Sequence, residues 1–327
     1  MLISLEAAIT TLQRGGLIAF PTETVYGLGA LANNAEAVEK IYAVKERPKD
    51  NPLICHFYSL EHIESYGITV DVVSRVLFQY LTPGPLSILL PLPKQSPLYP
   101  ATRGRETILC RVPDHPMALS LLLGVEVPIA APSANKSGTM SGTIAQMVDE
   151  TIGSEIDGVV DGGLCTIGIE STIVSVGNET VTILRPGSIG IQEIREVLDR
   201  VGSSYSVLYA EGVEHPVPGT RYRHYAPCTP LLLMKNAWEV DKKKKCVVLG
   251  TEEGLEETVF GDNELRGVAH CLGTRKRLTD VAKNLYHLLY QLDKKGLDCI
   301  YLVDEQYGTS ALGIALQNRI ERMISGG

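Results

Sequence analysis

The sequence predicts two α/β units in series, the first over residues 1–201 and a smaller one over residues 230–327. Three observations point to this class. Up to residue 201, short apolar runs alternate with stretches whose apolar residues recur every three to four positions, the pattern of strands separated by helices. Residues 202–229 then lose that periodicity and gain Ser, Pro, Gly and Tyr, which reads as a linker. Beyond them the alternation resumes on a smaller scale, as expected of a three-layer α/β unit. A chain of 327 residues is long for one domain and comfortable for two.

Each element has a local reason. Ser4 is placed to cap a helix on which Leu5, Ala8, Ile9 and Leu12 share a face. Gly15 ends it, and residues 17–20 form a short apolar strand, stopped by Pro21 because proline cannot donate to a sheet ladder. Asn33, with Glu36 three residues on, reads as a variant capping box. The helix behind it carries Val38, Ile41, Tyr42 and Lys45 on one stripe, so Lys45 continues an apolar face and is not a freely solvated lysine. Pro48 is expected to stop this helix. A strand at 53–57, a helix at 70–81, the Pro83-Gly84-Pro85 turn and a strand at 86–92 follow. Residues 107–112 alternate, so Thr107 and Arg111 share one strand face. A helix at 115–123 and an apolar strand at 125–131 lead into the loop Ser133-Ala134-Asn135. Residues 170–176 and 180–184 read as a hairpin, and 191–201 as a helix. In the second unit, strands are expected at 231–234, 246–250 and 299–303, with helices at 278–294 and 310–324.

Composition narrows the class of function. Hydrophobic residues at 44% and charged ones at 21% describe an ordinary soluble globular chain. No run of 18 or more apolar residues is present, so no membrane span is expected, and the N-terminus lacks the basic start of a secretory signal. Seven cysteines without a C-x-x-C pair argue against both a disulfide framework and a zinc ribbon, which makes the cytoplasm the expected compartment. A net charge of −8 disfavours a general nucleic-acid binder, although the lysines at 242–245 and Arg275-Lys276-Arg277 form local basic patches.

The chemistry concentrates after the first strand, where Pro21-Thr22-Glu23-Thr24-Val25-Tyr26 gathers hydroxyls, a carboxylate and a phenol on a loop closed by Gly27 and Gly29. Gly27 to Ala32 fits G-x-G-x-x-A, but a six-residue polar loop separates it from the strand, against a dinucleotide fingerprint. Ser133 to Lys136 fits S-x-x-K without the companion motifs of that chemistry. The seven histidines show no zinc-ligand spacing, and there is no Walker A motif. What remains is a set of cations and hydroxyls at element ends: Lys45, Arg47, Arg111 and Arg185 with Thr24, Thr107, Ser133, Ser141 and Ser171. Many donors and no legible nucleophile suit phosphoryl-group chemistry, where positioning and charge neutralisation supply most of the catalysis.

Pro21-Thr22-Glu23-Thr24-Val25-Tyr26-Gly27-Leu28 resembles the opening motif of the YrdC-like family. Lys45-Glu46-Arg47-Pro48, Asn51-Pro52-Leu53, Ala131-Pro132-Ser133-Ala134-Asn135, Glu170-Ser171-Thr172 and Leu184-Arg185-Pro186-Gly187 follow in that family's order. The junction Pro218-Gly219-Thr220-Arg221-Tyr222-Arg223-His224-Tyr225-Ala226-Pro227 is similar to that of the longer, two-domain threonylcarbamoyl-AMP synthases. The resemblance implies a twisted mixed-sheet first domain and a Rossmann-like second one. It implies an enzyme that joins L-threonine, bicarbonate or CO2, and ATP into L-threonylcarbamoyl-AMP and pyrophosphate. That product serves the N6-threonylcarbamoyladenosine modification of tRNA at position 37. Residue by residue, Thr24, His56, Arg111, Ala131 and Ser171 are implied to hold threonine. Arg47, Asn51, Thr107, Ser133, Ser141, Arg185, His224 and Tyr225 are implied for ATP, and Lys45, Arg47, Ser133 and Asn135 for catalysis. Mg2+ is implied to arrive with ATP, with no protein metal site. Hand-over to a tRNA threonylcarbamoyl transferase is implied, with weak or no direct tRNA binding and no membrane. Where the family usually has proline at 142 and Met-Lys at 220–221, this chain has Gly142 and Thr220-Arg221. An RNA-binding module, or a carbamoyl-transfer domain with a regulatory module, is the alternative. Arg47→Ala and Arg111→Ala are expected to abolish turnover with little change in melting temperature, and the linker is expected to close over the nucleotide.

Overall fold

The structure, a computed structural model, describes residues 1–210, 217–219, 225–259 and 261–324. The chain divides into two compact units, residues 1–137 with 141–222, and 138–140 with 223–327.

In the first unit the described residues form ten strands: β1 (Ile18–Phe20), β2 (Gly27–Leu31), β3 (Ile54–His56), β4 (Leu86–Pro91), β5 (Thr107–Arg111), β6 (Ile129–Ala130), β7 (Gly158–Val159), β8 (Thr172–Gly177), β9 (Thr180–Arg185) and β10 (Ser206–Tyr209). They join in one mixed sheet of order β10-β9-β8-β4-β5-β3-β6-β2-β1-β7. Helix Leu5–Gln13 starts where expected, with Ser4 Oγ accepting from the Ala7 amide at 3.2 Å. The next helix, Ala35–Lys45, is capped by Asn34 rather than Asn33, because it is Asn34 whose side chain reaches the Ala37 amide at 3.0 Å. It ends at Lys45, with Glu46 left-handed at φ 52°, before Pro48 is reached. Val38, Ile41, Tyr42 and Lys45 are all buried, as their stripe predicts.

Other differences have local causes. Gly27 and Gly29 do not close a loop; they lie in β2, where a Cβ on Gly29 would come within 2.8 Å of both Phe20 and Ile129. The apolar run 125–131 forms just two strand residues, because helix Pro116–Val125 extends into it and Glu126 turns left-handed. Helices Leu60–Ser65 and Ala145–Ile152 were not expected from periodicity; the first is a single short stretch on a Ser59 cap. Residues 206–209, inside the predicted linker, are the strand β10, which pairs in parallel with β9. Four residues with one buried side chain, Val207, carry too little pattern to stand out.

The sheet's two faces differ. One is covered throughout by the main core, which includes Leu28, Cys55, Ile88, Cys110, Val174 and Ile183. On the other, helices Leu5–Gln13 and Pro116–Val125 cover Ile18, Phe20 and Ile129 at one end. Over β3, β5, β8 and β9 that face carries instead a small cluster of Ile54, Leu109, Ile173, Leu184 and Val217. This second stretch is where the candidate residues gather.

The second unit is a parallel sheet of β11 (Leu231–Met234), β12 (Cys246–Gly250), β13 (Ala269–Cys271) and β14 (Cys299–Val303), ordered β11-β14-β12-β13. Helices Glu252–Thr258, Leu278–Asp293 and Ala311–Ile324 flank it, so the expected three-layer α/β unit is present. No helix among the described residues is long and apolar enough to cross a membrane.

Candidate active site

Strand register assembles the site. His56 lies opposite Arg111, Arg111 opposite Ser87, Ser87 opposite Ile173, and Ile173 opposite Arg185. Side chains directly opposite in a sheet point to the same face, so this is one row across five strands. Arg185 joins it through a bulge. Val174 pairs with Ile183 but Ile173 with Arg185, leaving Leu184 as the extra residue. Plain alternation would send Arg185 with Val181 and Ile183 into the main core. The bulge re-aims it onto the row, where its Nε and Nη2 donate to the Ser171 carbonyl at 3.1 and 2.8 Å. Nη2 also reaches Ser171 Oγ at 3.1 Å, and Ser171 and Ser87 share a hydrogen bond of 2.9 Å. Ser87 was absent from the sequence-derived set; the signal was available in the alternation of β4, which faces it away from Leu86 and Ile88.

The Pro21–Tyr26 loop hangs over this row. Arg111 Nη2 donates to Glu23 Oε1 at 2.7 Å and to Thr24 Oγ1 at 2.8 Å, with all three residues buried. Thr22 Oγ1 and Thr24 Oγ1 lie 2.9 Å apart, and Thr22 fixes the turn by donating to the Val25 carbonyl at 2.6 Å. His56 is wholly buried, edge-on to Phe20 at 5.9 Å. Burial, with the Arg111 charge beside it, pushes its imidazole down to about 3, so it is neutral at ordinary pH. Ala131 is tied to β3 by its amide, which donates to the Ile54 carbonyl at 2.9 Å.

A second constellation adjoins the first. The buried Lys45 ammonium donates to the carbonyls of Ser133 and Asn135, both at 2.6 Å, while Ser133 Oγ donates to Asn135 Oδ1 at 2.5 Å. The loop is also bridged to β2 through Gly27 and Ser133, so Lys45 fixes the loop's shape as well as its charge. Desolvation and then the Arg47 charge hold the Lys45 amine well below the usual lysine range, with Glu170 opposing them. Glu170 Oε1 accepts from Ser141 Oγ at 2.6 Å. Arg47 donates to the Asn51 carbonyl at 3.1 Å, to Asn51 Oδ1 at 2.7 Å and to the Pro52 carbonyl at 2.8 Å, bracing the turn that precedes β3. Thr107, at the start of β5, borders a cavity of about 60 Å3 walled by Pro52, Leu109, Leu184 and Val217. The neighbouring Pro218 carbonyl accepts from Arg185 Nη1 at 3.0 Å.

Among the described buried residues of this unit, four cations (Lys45, Arg47, Arg111, Arg185) therefore stand against two carboxylates (Glu23, Glu170) in number. Such an excess, desolvated and braced by hydrogen bonds, suits ligands carrying several negative charges. His224 lies outside the described residues. Tyr225 belongs to the second unit, where its ring stacks on Tyr286 at 5.8 Å beneath the Arg319 guanidinium. Among its described residues that unit offers no comparable cluster of buried cations. At the carboxyl ends of β12 and β14, where ligands usually enter such sheets, its own Glu305 carboxylate accepts from the Thr251 amide and Arg275 Nε, both at 2.8 Å.

Residues 10–187 match the Sua5–YciO–YrdC family model, described as "Telomere recombination", and residues 189–323 match "Threonylcarbamoyl-AMP synthase, C-terminal domain". The threonylcarbamoyl-AMP synthase of Bacillus subtilis is 35% identical over 326 residues, covering 98% of this chain and 92% of its own length. That of Pyrococcus abyssi is 35% identical over 315 residues, covering 95% and 91%. A crystal structure of P. abyssi Sua5 complexed with L-threonine has a TM-score of 0.82 at 32% identity, covering 98% of this chain and 94% of that one. The crystal structure of E. coli YciO, at 23% identity and a TM-score of 0.52, shares the fold of the first unit.

Proposed function

The chain belongs to the threonylcarbamoyl-AMP synthase family, and from that premise we propose that the row of the first unit is where the reaction runs. The activity is nucleotidyl transfer: L-threonine, bicarbonate or CO2, and ATP become L-threonylcarbamoyl-AMP and pyrophosphate, for the N6-threonylcarbamoyladenosine modification of tRNA. The threonine amine takes up CO2, and the resulting N-carboxylate attacks the α-phosphorus of ATP as pyrophosphate leaves.

The observation that carries this reading is the cross-strand row, which holds buried Arg111 and Arg185, together with buried Lys45 and Arg47 from the second constellation. Arg111 binds the threonine carboxylate, with Thr24, neutral His56, Ala131 and Ser171 around it. Neutral His56 can lie beside Arg111 without adding a repelling charge. Lys45 and Arg47, with Ser133 and Asn135, meet the negative charge that passes from the carbamate to the phosphate. Their donors are held in place before substrate arrives, so little reorganisation opposes the transfer. Ser141 and Arg185 take the phosphates, and Asn51 and Thr107 the nucleoside beside the apolar cavity. Mg2+ would arrive with ATP and help neutralise its phosphates; Glu170, already bonded to Ser141, is too small a donor set to hold that ion alone.

The linker belongs to this site in the same reading. Val217 packs with Ile54, Leu109 and Leu184, and the Pro218 carbonyl sits on Arg185. We propose that the part of the linker beyond Pro218, which includes His224, closes over the bound nucleotide and keeps water from the mixed anhydride. The enzyme works in the cytoplasm and hands its product to a tRNA threonylcarbamoyl transferase.

The test is pyrophosphate release with threonine, bicarbonate, ATP and Mg2+ omitted one at a time. Release is expected only from the complete mixture, with serine a poor substitute. ADP and orthophosphate as main products would overturn the assignment.

A further inference from the structure

Glu23 is absent from the residues assigned to substrate above, yet it is bonded to Arg111 and adjoins Thr24, both of which are assigned to threonine. Its carboxylate is 4% exposed, and one oxygen accepts from Arg111. The other, Oε2, is buried without a hydrogen-bond partner. Arg111 Nε, on the opposite side of the same ion pair, is also buried and unpartnered, as is His56 Nδ1. Buried polar atoms are rarely left so, because each forfeits its hydration and gains nothing in return. Here the two members of one buried ion pair each keep an open polar atom, an acceptor on Glu23 and a donor on Arg111.

The side chain has little freedom to look elsewhere. The Glu23 carbonyl accepts from the Ile167 amide at 2.8 Å, which pins the loop, and Thr24 is held by Arg111 one residue on. His115 and the Cys165 thiol lie close enough to feel the Glu23 charge, but no hydrogen bond from either is made to Oε2. Glu170, the other buried carboxylate among the described residues of the unit, is engaged by Ser141 and lies in the field of Lys45.

An α-amino acid presents the complement of this pair. Its carboxylate and ammonium sit on one carbon, so a cation and an anion placed side by side can bind both at once. The residues assigned to threonine supply donors for a carboxylate and a hydroxyl, but none of them supplies an anion for the ammonium. Resting on the functional reading above, we propose that Glu23 Oε2 accepts the α-ammonium of L-threonine while Arg111 binds its carboxylate. Glu23 is thereby the residue that selects an amino acid over other small carboxylates in a site otherwise rich in positive charge. To take up CO2 the ammonium first gives one proton to solvent and the new carbamate nitrogen gives up a second, so the positive charge is gone and the ionic hold of Glu23 lapses at the step where the new carboxylate must turn towards the phosphate.

The experiment measures binding by calorimetry, without turnover. L-threonine is compared with (2S,3R)-2,3-dihydroxybutanoate, which carries a hydroxyl where threonine carries its ammonium. Wild type should favour threonine by about 5- to 10-fold, since charge-assisted bonds are about twice as strong as neutral ones. Glu23→Gln keeps an acceptor for Arg111 but removes the charge, and should bring the ratio below about 3, with ATP affinity unchanged. Glu23→Asp, which keeps the charge on a shorter arm, should recover part of the preference and serves if the glutamine variant does not fold. An equal preference in wild type, or a ratio unchanged in both variants, overturns the proposal. Failure of wild type to bind threonine at all sinks the functional reading first.

Discussion

Arg111 shows how a single residue's role changes once its neighbours are known. On the sequence it shares a strand face with Thr107 and looks removable without harm to the fold. In the structure it is the buried partner of Glu23, so Arg111→Ala leaves a desolvated carboxylate unpaired, at a cost on the order of 3–5 kcal/mol. Arg111→Ala should therefore lose most turnover and also melt at a clearly lower temperature, against the expectation from sequence. Adding Glu23→Gln should restore much of the melting temperature and none of the pyrophosphate release. Unchanged melting of the single variant would show the pair to be energetically idle. His56 yields a pH dependence. Its imidazole titrates near 3 in the fold and about 6.5 when free, so between those values the unfolded chain binds the extra proton. Its contribution is complete above about pH 6.5 and is lost as pH falls towards 3, on the order of 4 kcal/mol for the full shift. Denaturant titrations from pH 7.5 to 4 should show this loss in wild type and a flatter profile in His56→Gln; equal slopes would remove His56 from the account.

At the scale of elements, the helix Ala35–Lys45 was legible almost to its last residue, because one amphipathic stripe decides both its existence and its orientation. The stripe also implied that Lys45 is buried, though not what it binds. Lys45→Met should keep the stripe apolar and relieve a buried charge, so stability should change by less than about 2 kcal/mol. Turnover should fall by more than 100-fold, because the Ser133–Asn135 loop loses two carbonyl contacts and the site loses a cation. A variant that unfolds, or one that turns over normally, would contradict this division. Strand β9 is the opposite case. Period-two alternation sends Arg185 to the core, and nothing local in Thr180–Arg185 announces the bulge. It arises in the pairing with β8, a segment read independently of it, so the most informative residue of the strand was also the least readable. The Asn34 cap and the brief β6 are smaller instances, in which neighbouring elements shift a boundary by a residue or more.

At the scale of the molecule, the first unit ends later than its periodicity suggests. Strand β10 covers the edge of β9, and Val217 fills the apolar cluster beneath the site. A fragment ending at residue 201 should expose the β9 edge and aggregate, whereas one ending at 219 should stay monomeric by size-exclusion chromatography. Equal behaviour of the two would make residues 202–219 a simple tether. In the intact chain, ATP should protect the 202–229 segment from limited proteolysis; an unchanged cleavage rate with ATP would remove its covering role. By itself the sequence determined the α/β class, the two-unit plan, most helices and the family, because these rest on local periodicity and on motifs read in order. It also placed the chemistry at strand exits, since proline, glycine and hydroxyl clusters mark loops wherever they lie. What the tertiary structure alone decided is which of those residues meet: His56, Ser87, Arg111 and Arg185, up to 129 positions apart in the chain, form one row because of inter-strand register. Register depends on pairings between distant segments, and a one-residue slip or bulge turns a side chain to the other face, so no local pattern could have specified it.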